Sequence, residues 1–306
     1  MLWLLITISF YFILAIVFLG DKYLLTGAVP KPEVYTFYIG LSWALVLALI
    51  PFAHFFVPAL KQIIISLLAG AAYICGLFWF NKSLSKFETS RVVPTIGAFS
   101  PIFTFLIIYL SSSEKQTLSL SGLFAFLLLI FGSVLITSEK QKPINLESLK
   151  NSLLAAALFS ISFVLTKYVY LSQPFWNGFI WIKFGGVLMA FLFLIFYKGV
   201  KEEVFKKRET FPKKTFSLFI FNQSLGAVSN ILQNYAFAIV PLSYVAVIQA
   251  LQGTQYAFLL IFTVLISLKF PGFIKEEISK KILTQKVIAI LLIVIGIVIL
   301  ALNNPS

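Results

Sequence analysis

Lys183 sits in the middle of an apolar run, FWNGFIWIKFGGVLMAFLFLIF, ten residues beyond Gln173. On a helix that distance is about 15 Å, half of a hydrocarbon layer about 30 Å thick. A lysine stem of about 6 Å does not carry the ammonium to either interface from there. A charge at that depth costs about 2.5–3.5 kcal/mol on insertion scales, so something must offset it. Two chemistries meet that need: a cationic site for a substrate carboxylate or phosphate, or a site for a coupling proton. The plainer alternative is a structural amine held by amide oxygens and helix carbonyls.

Amides gather further along the chain. Asn222, Gly226, Asn230 and Asn234 recur every four residues and form one stripe on a helix, with Gln223 and Gln233 close beside it. Gln249, Gln252 and Gln255 recur every three residues on the next apolar run. A primary amide facing lipid leaves donors and acceptor unsatisfied. Interhelical bonds, worth about 0.6 kcal/mol each, account for two or three such groups. Eight on two consecutive runs point to a cavity for a polar solute. The matching runs of the first half offer Tyr73 and Trp79 as aromatic walls, although Tyr and Trp near helix ends also anchor membrane interfaces.

Asp21 ends the first apolar run and is the acid placed to gate or couple, paired with Lys22 or Arg91. Pro94 and Pro101 remove two backbone bonds from one run and predict a kinked helix that permits rocking. The expected substrate-binding set is Lys183, Asn230, Asn234, Gln223, Gln249, Gln252, Tyr73 and Trp79, with Asp21, Pro94 and Pro101 in gating or coupling. Lys167, near the end of its run, is expected to snorkel. Small residues at Gly70 and at the Gly185–Gly186 pair predict close helix approach.

These residues need elements that hold them, and composition says of what kind. Of 306 residues 60% are hydrophobic and 11% charged, against roughly 25% charged in a soluble domain. That excludes a soluble enzyme and a disordered chain. One cysteine, Cys75, and one histidine, His54, allow no disulfide within the chain and no zinc site. No cofactor or metal is expected. No nucleophile–base pair and no P-loop stand out, so the sequence reads as neither an enzyme nor an ATP-driven pump.

Ten runs are long enough to span a bilayer: 2–21, 34–53, 63–81, 90–110, 119–137, 150–171, 174–197, 215–238, 242–268 and 284–302. The first has no basic stretch before it and no small-x-small cleavage site before Gly20, so it is read as a retained span. Ten spans put both termini on one side. The loops on that side hold two Lys/Arg, Lys61 and Lys115, and those on the other side hold twenty. Cytoplasmic loops carry the excess, so the basic loops are expected in the cytoplasm and both termini outside. The net charge of +13 then forms a belt facing anionic lipid and does not point to nucleic acid.

Ten spans divide into five and five. A shift of 153 residues lays Lys61, Asn81, Ser90 and Phe105 on Lys214, Asn234, Ser243 and Phe258. A unit with an odd number of spans reverses direction in its second copy, and the charge bias of matched loops does flip. Inverted repeats are a transporter architecture with the site near the midplane. The expected fold is an all-α integral membrane protein of ten transmembrane helices in two five-helix inverted repeats, 1–140 and 141–306.

The segment NKSLSKFETSRVVPTIGAFSPIFTFLIIYLSSSEKQTLSLSGLFAFLLLIFGSVLIT carries a recognisable pattern: Ser90, then Pro101 with Phe103 and Thr104, then Glu114, then Gly122 and Gly132. The second half repeats it loosely over 234–302, where Gln255 and Tyr256 stand at the places of Ile102 and Phe103, and Gly296 answers Gly132. In this the chain resembles the EamA-type members of the drug/metabolite transporter superfamily. The resemblance implies transport by alternating access in a cell membrane. It also implies cytoplasmic termini, opposite to the charge count, which is kept here. The expected function is secondary transport of a small polar metabolite, an anionic one included, with the bilayer and the solute as partners and a monomer or homodimer as the unit. The alternative is a flippase for a lipid-linked carrier.

Overall fold

A computed structural model describes residues 2–24, 31–87, 89–111, 119–137, 146–205, 213–269 and 280–302. Among these residues the chain is 92% helical, with no strand. The helices are α1 (Leu2–Tyr23), α2 (Pro32–Ser42), α3 (Leu60–Lys86), α4 (Thr89–Ser111), α5 (Leu120–Thr137) and α6 (Leu146–Ser172). They continue as α7 (Phe175–Phe196), α8 (Lys198–Phe205), α9 (Lys213–Ile239), α10 (Tyr244–Ala250), α11 (Gln252–Lys269) and α12 (Lys280–Leu302). A 3-10 helix, Trp43–Phe52, extends α2. Of the loops that carry the expected basic belt, Lys140, Lys142, Lys206, Lys207, Arg208 and Lys275 lie outside the described residues, as does Glu114.

A backbone in hydrocarbon must close its own hydrogen bonds, and a helix does so within one segment. Six helical segments are long and apolar enough to cross a membrane: α1, α2 with its 3-10 extension, α3, α6, α7, and α10 with α11. Shorter apolar stretches lie in α4, α5 and α12. Leu5, Leu110, Leu120, Phe131 and Phe196 point outward from the bundle. In water they would form a costly patch, whereas lipid accepts them. The protein is therefore an all-α, multi-pass, membrane-embedded chain.

Two of the expected spans are not single α-helices. The 34–53 run turns from α to 3-10 at Trp43, and Pro51 near its end has no N–H to give. A 3-10 stretch of ten residues is long for that geometry, which is found mostly in pieces of three or four. The 242–268 run breaks at Leu251, whose carbonyl accepts both the backbone N–H and the hydroxyl of Thr254, at 2.9 and 2.8 Å. α4 is helical from end to end, Pro94 and Pro101 included.

In the bundle α6 lies along α3 and α4, and α1 lies along α9 and α11. α5 pairs with α12 through reciprocal contacts. A methyl added at Gly132 would meet Ile293 and Ala289, and one added at Gly296 would meet Leu129 and Ala125. The tightest crossing joins α3 to α7. There Gly70 faces the backbone of Ile182 and Gly186, and Gly185 faces the backbone of Leu67. Neither glycine leaves room for a Cβ, as the small-residue spacing predicts.

The ends of the described helices that carry basic residues meet at one end of the bundle. Lys86 at the end of α3 pairs with Glu147 at the start of α6, at 2.9 Å. Gly199 of α8 abuts Glu33 at the start of α2.

Gly70→Ala is expected to cost about 1–3 kcal/mol, because backbone cannot step aside for the methyl. Gly226→Ala is the control: its methyl would meet only Val17, at 3.8 Å, so the change stays within about 0.5 kcal/mol. Thermal unfolding of both variants in detergent measures the difference.

Candidate functional site

Lys183 projects from α7 into the interior and is 4% exposed. Its Nζ donates to Asn230 Oδ1 on α9, at 2.5 Å. The ammonium also lies over the Trp43 ring, 3.3 Å from its centre, and 5.0 Å from that of Phe179. Among the described residues no acid is within ion-pair reach of it. An ammonium has three donors, and here one is spent on an acceptor oxygen while rings face the rest. The offset that the sequence demanded is thus partial: one amide oxygen and aromatic π-faces, with no counter-charge.

Asn230 is held so that its oxygen faces the lysine. Asn234, one turn on, donates from Nδ2 to Asn230 Oδ1 at 3.0 Å and to the Asn230 carbonyl at 2.8 Å. Tyr170 of α6 donates to Asn234 Oδ1 at 2.8 Å. The relay runs Tyr170, Asn234, Asn230, Lys183, and the four-residue spacing on α9 makes it possible. Trp43 reaches the ammonium because Gly186 has no side chain; a methyl there would run into the indole. Tyr73 of α3 backs the indole at 5.2 Å between ring centres.

These groups enclose a cavity of about 10 Å³, room for one water molecule. Its walls come from both halves of the chain. Trp43 and Tyr73 come from the first, and Ser162, Thr166, Lys183, Asn230, Gln233, Asn234 and Phe237 are among those from the second. Such a chamber offers hydrogen-bond donors from an ammonium, amides and hydroxyls.

A second polar cluster lies at the basic end. Asp21 at the end of α1 accepts at Oδ1 from the Tyr35 hydroxyl of α2 and from Asn222 Nδ2 of α9, the latter at 2.7 Å. Neither Lys22 nor Arg91 enters this description, since both side chains lie outside the described residues. Among the described residues, neutral donors from two other helices bond the Asp21 carboxylate. Gly20 allows the approach, because a methyl at that position would collide with the Asn222 amide. One carboxylate therefore ties α1, α2 and α9 together.

The expected site residues sort into several places. Lys183, Asn230, Asn234 and Tyr73 come together at the cavity. Gln223 is partly buried about two turns before the chamber on α9 and does not line it. Gln249 and Gln252 flank the α10–α11 break, away from Lys183; Gln249 is 3% exposed and its Nε2 has no partner. Trp79 lies near the basic end with Lys82 Nζ 4.5 Å above its ring, which fits an interfacial anchor and not a cavity wall. Pro101 is buried in α4, and the Pro94 side chain lies outside the described residues. Lys167 does not snorkel. It is 3% exposed and donates to the Ala238 carbonyl at 3.1 Å, because the last carbonyls of α9 lack intrahelical donors.

Sequence reasoning missed Trp43, Tyr170 and Tyr35. Nothing in the spacing of Trp43 sets it apart from the other tryptophans, and its role appears only when the Gly186 notch is placed beside it.

No family model and no curated protein matches the chain. Eighteen chains of solved structure do match. One protein crystal structure superposes with a TM-score of 0.67, over 98% of this chain and 96% of that one, at 15% identity. At that identity the likeness shows the fold alone.

Asn230→Leu leaves the Lys183 ammonium without an acceptor and is expected to cost about 1–3 kcal/mol or more. Asn230→Asp supplies the missing counter-charge and is expected to raise the unfolding temperature above wild type. Thermal melts in detergent at neutral pH decide both.

Proposed function

We propose that this protein is a secondary transporter that carries a small polar metabolite across a cell membrane by alternating access. The observation that carries the reading is a buried ammonium without an acid partner among the described residues, facing an amide-lined chamber whose walls come from both halves of the chain. A transporter needs a polar midplane site at a seam that can open.

The EamA-like resemblance and the ten-span, inverted-repeat organisation belong to the same reading. The reciprocal packing of α5 and α12 supports it, since Gly132 and Gly296 play matching parts. So does the pairing of helices: α6 lies along α3 and α4 as α1 lies along α9 and α11. A rotation that exchanges spans 1–5 with 6–10 turns each of these contacts into the other. The chamber holds about one water, so the described state is closed and cargo enters only after the seam parts.

In this reading Lys183, Asn230 and Asn234 contact cargo, Tyr73 is an aromatic wall, and Asp21 is a gate at the basic end. The basic loops face the cytoplasm and both termini lie outside. The protein is not an enzyme and needs no cofactor. A flippase of a lipid-linked carrier would need a lateral opening, and the enclosed chamber favours a soluble solute.

Two measurements test this. Lys183→Ala is expected to abolish solute uptake in proteoliposomes while membrane expression stays at the wild-type level; full uptake by that variant ends the proposal. For orientation, a cysteine placed at Lys206 in a Cys75→Ser background should resist a membrane-impermeant thiol reagent in intact cells. Ready labelling would reverse the assignment of sides.

A further inference from the structure

Lys183 is the one feature of the chamber whose bonding is incomplete. Its ammonium has one oxygen acceptor and two ring faces. A ring offers a quadrupole, while an oxyanion offers a full opposite charge and several lone pairs. In a low-dielectric interior the oxyanion is the stronger partner. The space such a group needs is filled by the Trp43 indole, since about 10 Å³ remains beside it. Trp43 also stands where the backbone passes from α to 3-10 geometry. The two geometries differ by about 20° of rotation per residue, so a small shift in that boundary turns the indole away from Lys183.

We propose that Lys183 is an oxyanion site and that Trp43 is its resident lid, a stand-in partner which the carboxylate or phosphate of the ligand displaces. The inference rests on the transporter reading and narrows its cargo to anions. Asn230 orients the ammonium, and the Asn230 and Gln233 side chains line the same chamber. Phe179 stays as the second ring beneath the ammonium when Trp43 leaves.

The test uses purified full-length protein and measures tryptophan emission and thermal stability with acetate, succinate or inorganic phosphate. Acetamide and succinamide serve as neutral controls. At least one of the anions is expected to shift the emission and stabilise wild type, with no effect of the matched amide. Lys183→Gln should abolish both responses, and Lys183→Arg should retain stabilisation. Trp43→Leu should bind the anion about tenfold more tightly, because removing a competing closed state raises the fraction able to bind, and should lose the emission shift. A merely structural Trp43 would make that variant bind more weakly, which overturns the lid. If Lys183→Gln does not fold, the direction of the Trp43→Leu effect still decides.

Nanodiscs of phosphatidylglycerol and of phosphatidylcholine separate the sources of the oxyanion. An emission change in phosphatidylglycerol alone that is lost in Lys183→Gln, with stabilisation by phosphatidylglycerol retained in Lys183→Arg, assigns the group to a lipid headgroup and keeps the site. Equal stabilisation by an acid and its amide overturns the oxyanion site, as does silence toward every soluble and lipid anion. Uptake of a neutral solute with no anion response would overturn this inference and leave the transporter reading standing. Anion binding without translocation would do the reverse.

Discussion

A single uncompensated positive charge organises the interior of this protein. Lys183 has no acid beside it among the described residues, so the surrounding groups must supply what a counter-ion would. Each partial remedy constrains another element. The Asn230 oxygen must face α7, and Asn234 and Tyr170 fix it there. The Trp43 ring must lie over the ammonium, and Gly186 makes the space. Gly186 also lets α3 approach, since Gly70 packs on its backbone. One pair of glycines therefore serves both the helix crossing and the charge. A larger residue at either place would move the crossing and the indole together, because interiors at this density transmit small displacements.

The burial of the lysine was legible from depth alone, since a charge ten residues inside an apolar run does not reach an interface. The Asn230–Asn234 relay was legible from its four-residue period. The amides of α10 and α11 misled because the same argument, that an amide must avoid lipid, is satisfied by any protein contact. Gln249 and Gln255 are buried and Gln252 is partly buried beside a helix break. Their three-residue spacing carries no information about which cavity they meet. The 3-10 segment was invisible, because WALVLALIPF is apolar in either helical geometry and hydropathy does not register the number of residues per turn. Asp21 was legible as an acid at a helix end, and its expected cationic partners, Lys22 and Arg91, have side chains outside the described residues. In an apolar setting a phenol and an amide from other helices satisfy a carboxylate and leave its charge in place. Sequence offers a list of donors; only the packing of α1 against α9 selects Asn222.

The two ends of the bundle are sealed by unequal means. Near the midplane α3 and α7 are locked by backbone contacts at Gly70 and Gly185. At the end away from the basic loops the segment after the 3-10 helix is bolted to α7. Phe56 gives its N–H to Asn177 at 3.0 Å and takes the Trp181 indole N–H at 3.2 Å. Gln173 continues the network, donating to Ser66 at 3.1 Å and accepting from Asn177 at 3.0 Å. At the basic end the corresponding helices, α2 and α9, touch through ring edges of Tyr35 and Tyr38 on Phe219. The Asp21 carboxylate adds two hydrogen bonds. If the halves are related as proposed, a symmetric molecule would seal both ends alike, and this one does not. Parting the basic end breaks a few hydrogen bonds and ring contacts around one carboxylate. Parting the other end requires a hydrogen-bonded network of five residues to dissolve. For a transporter of the kind proposed, the easier opening is then on the side of the basic loops, with the bonds of Asp21 among those that break.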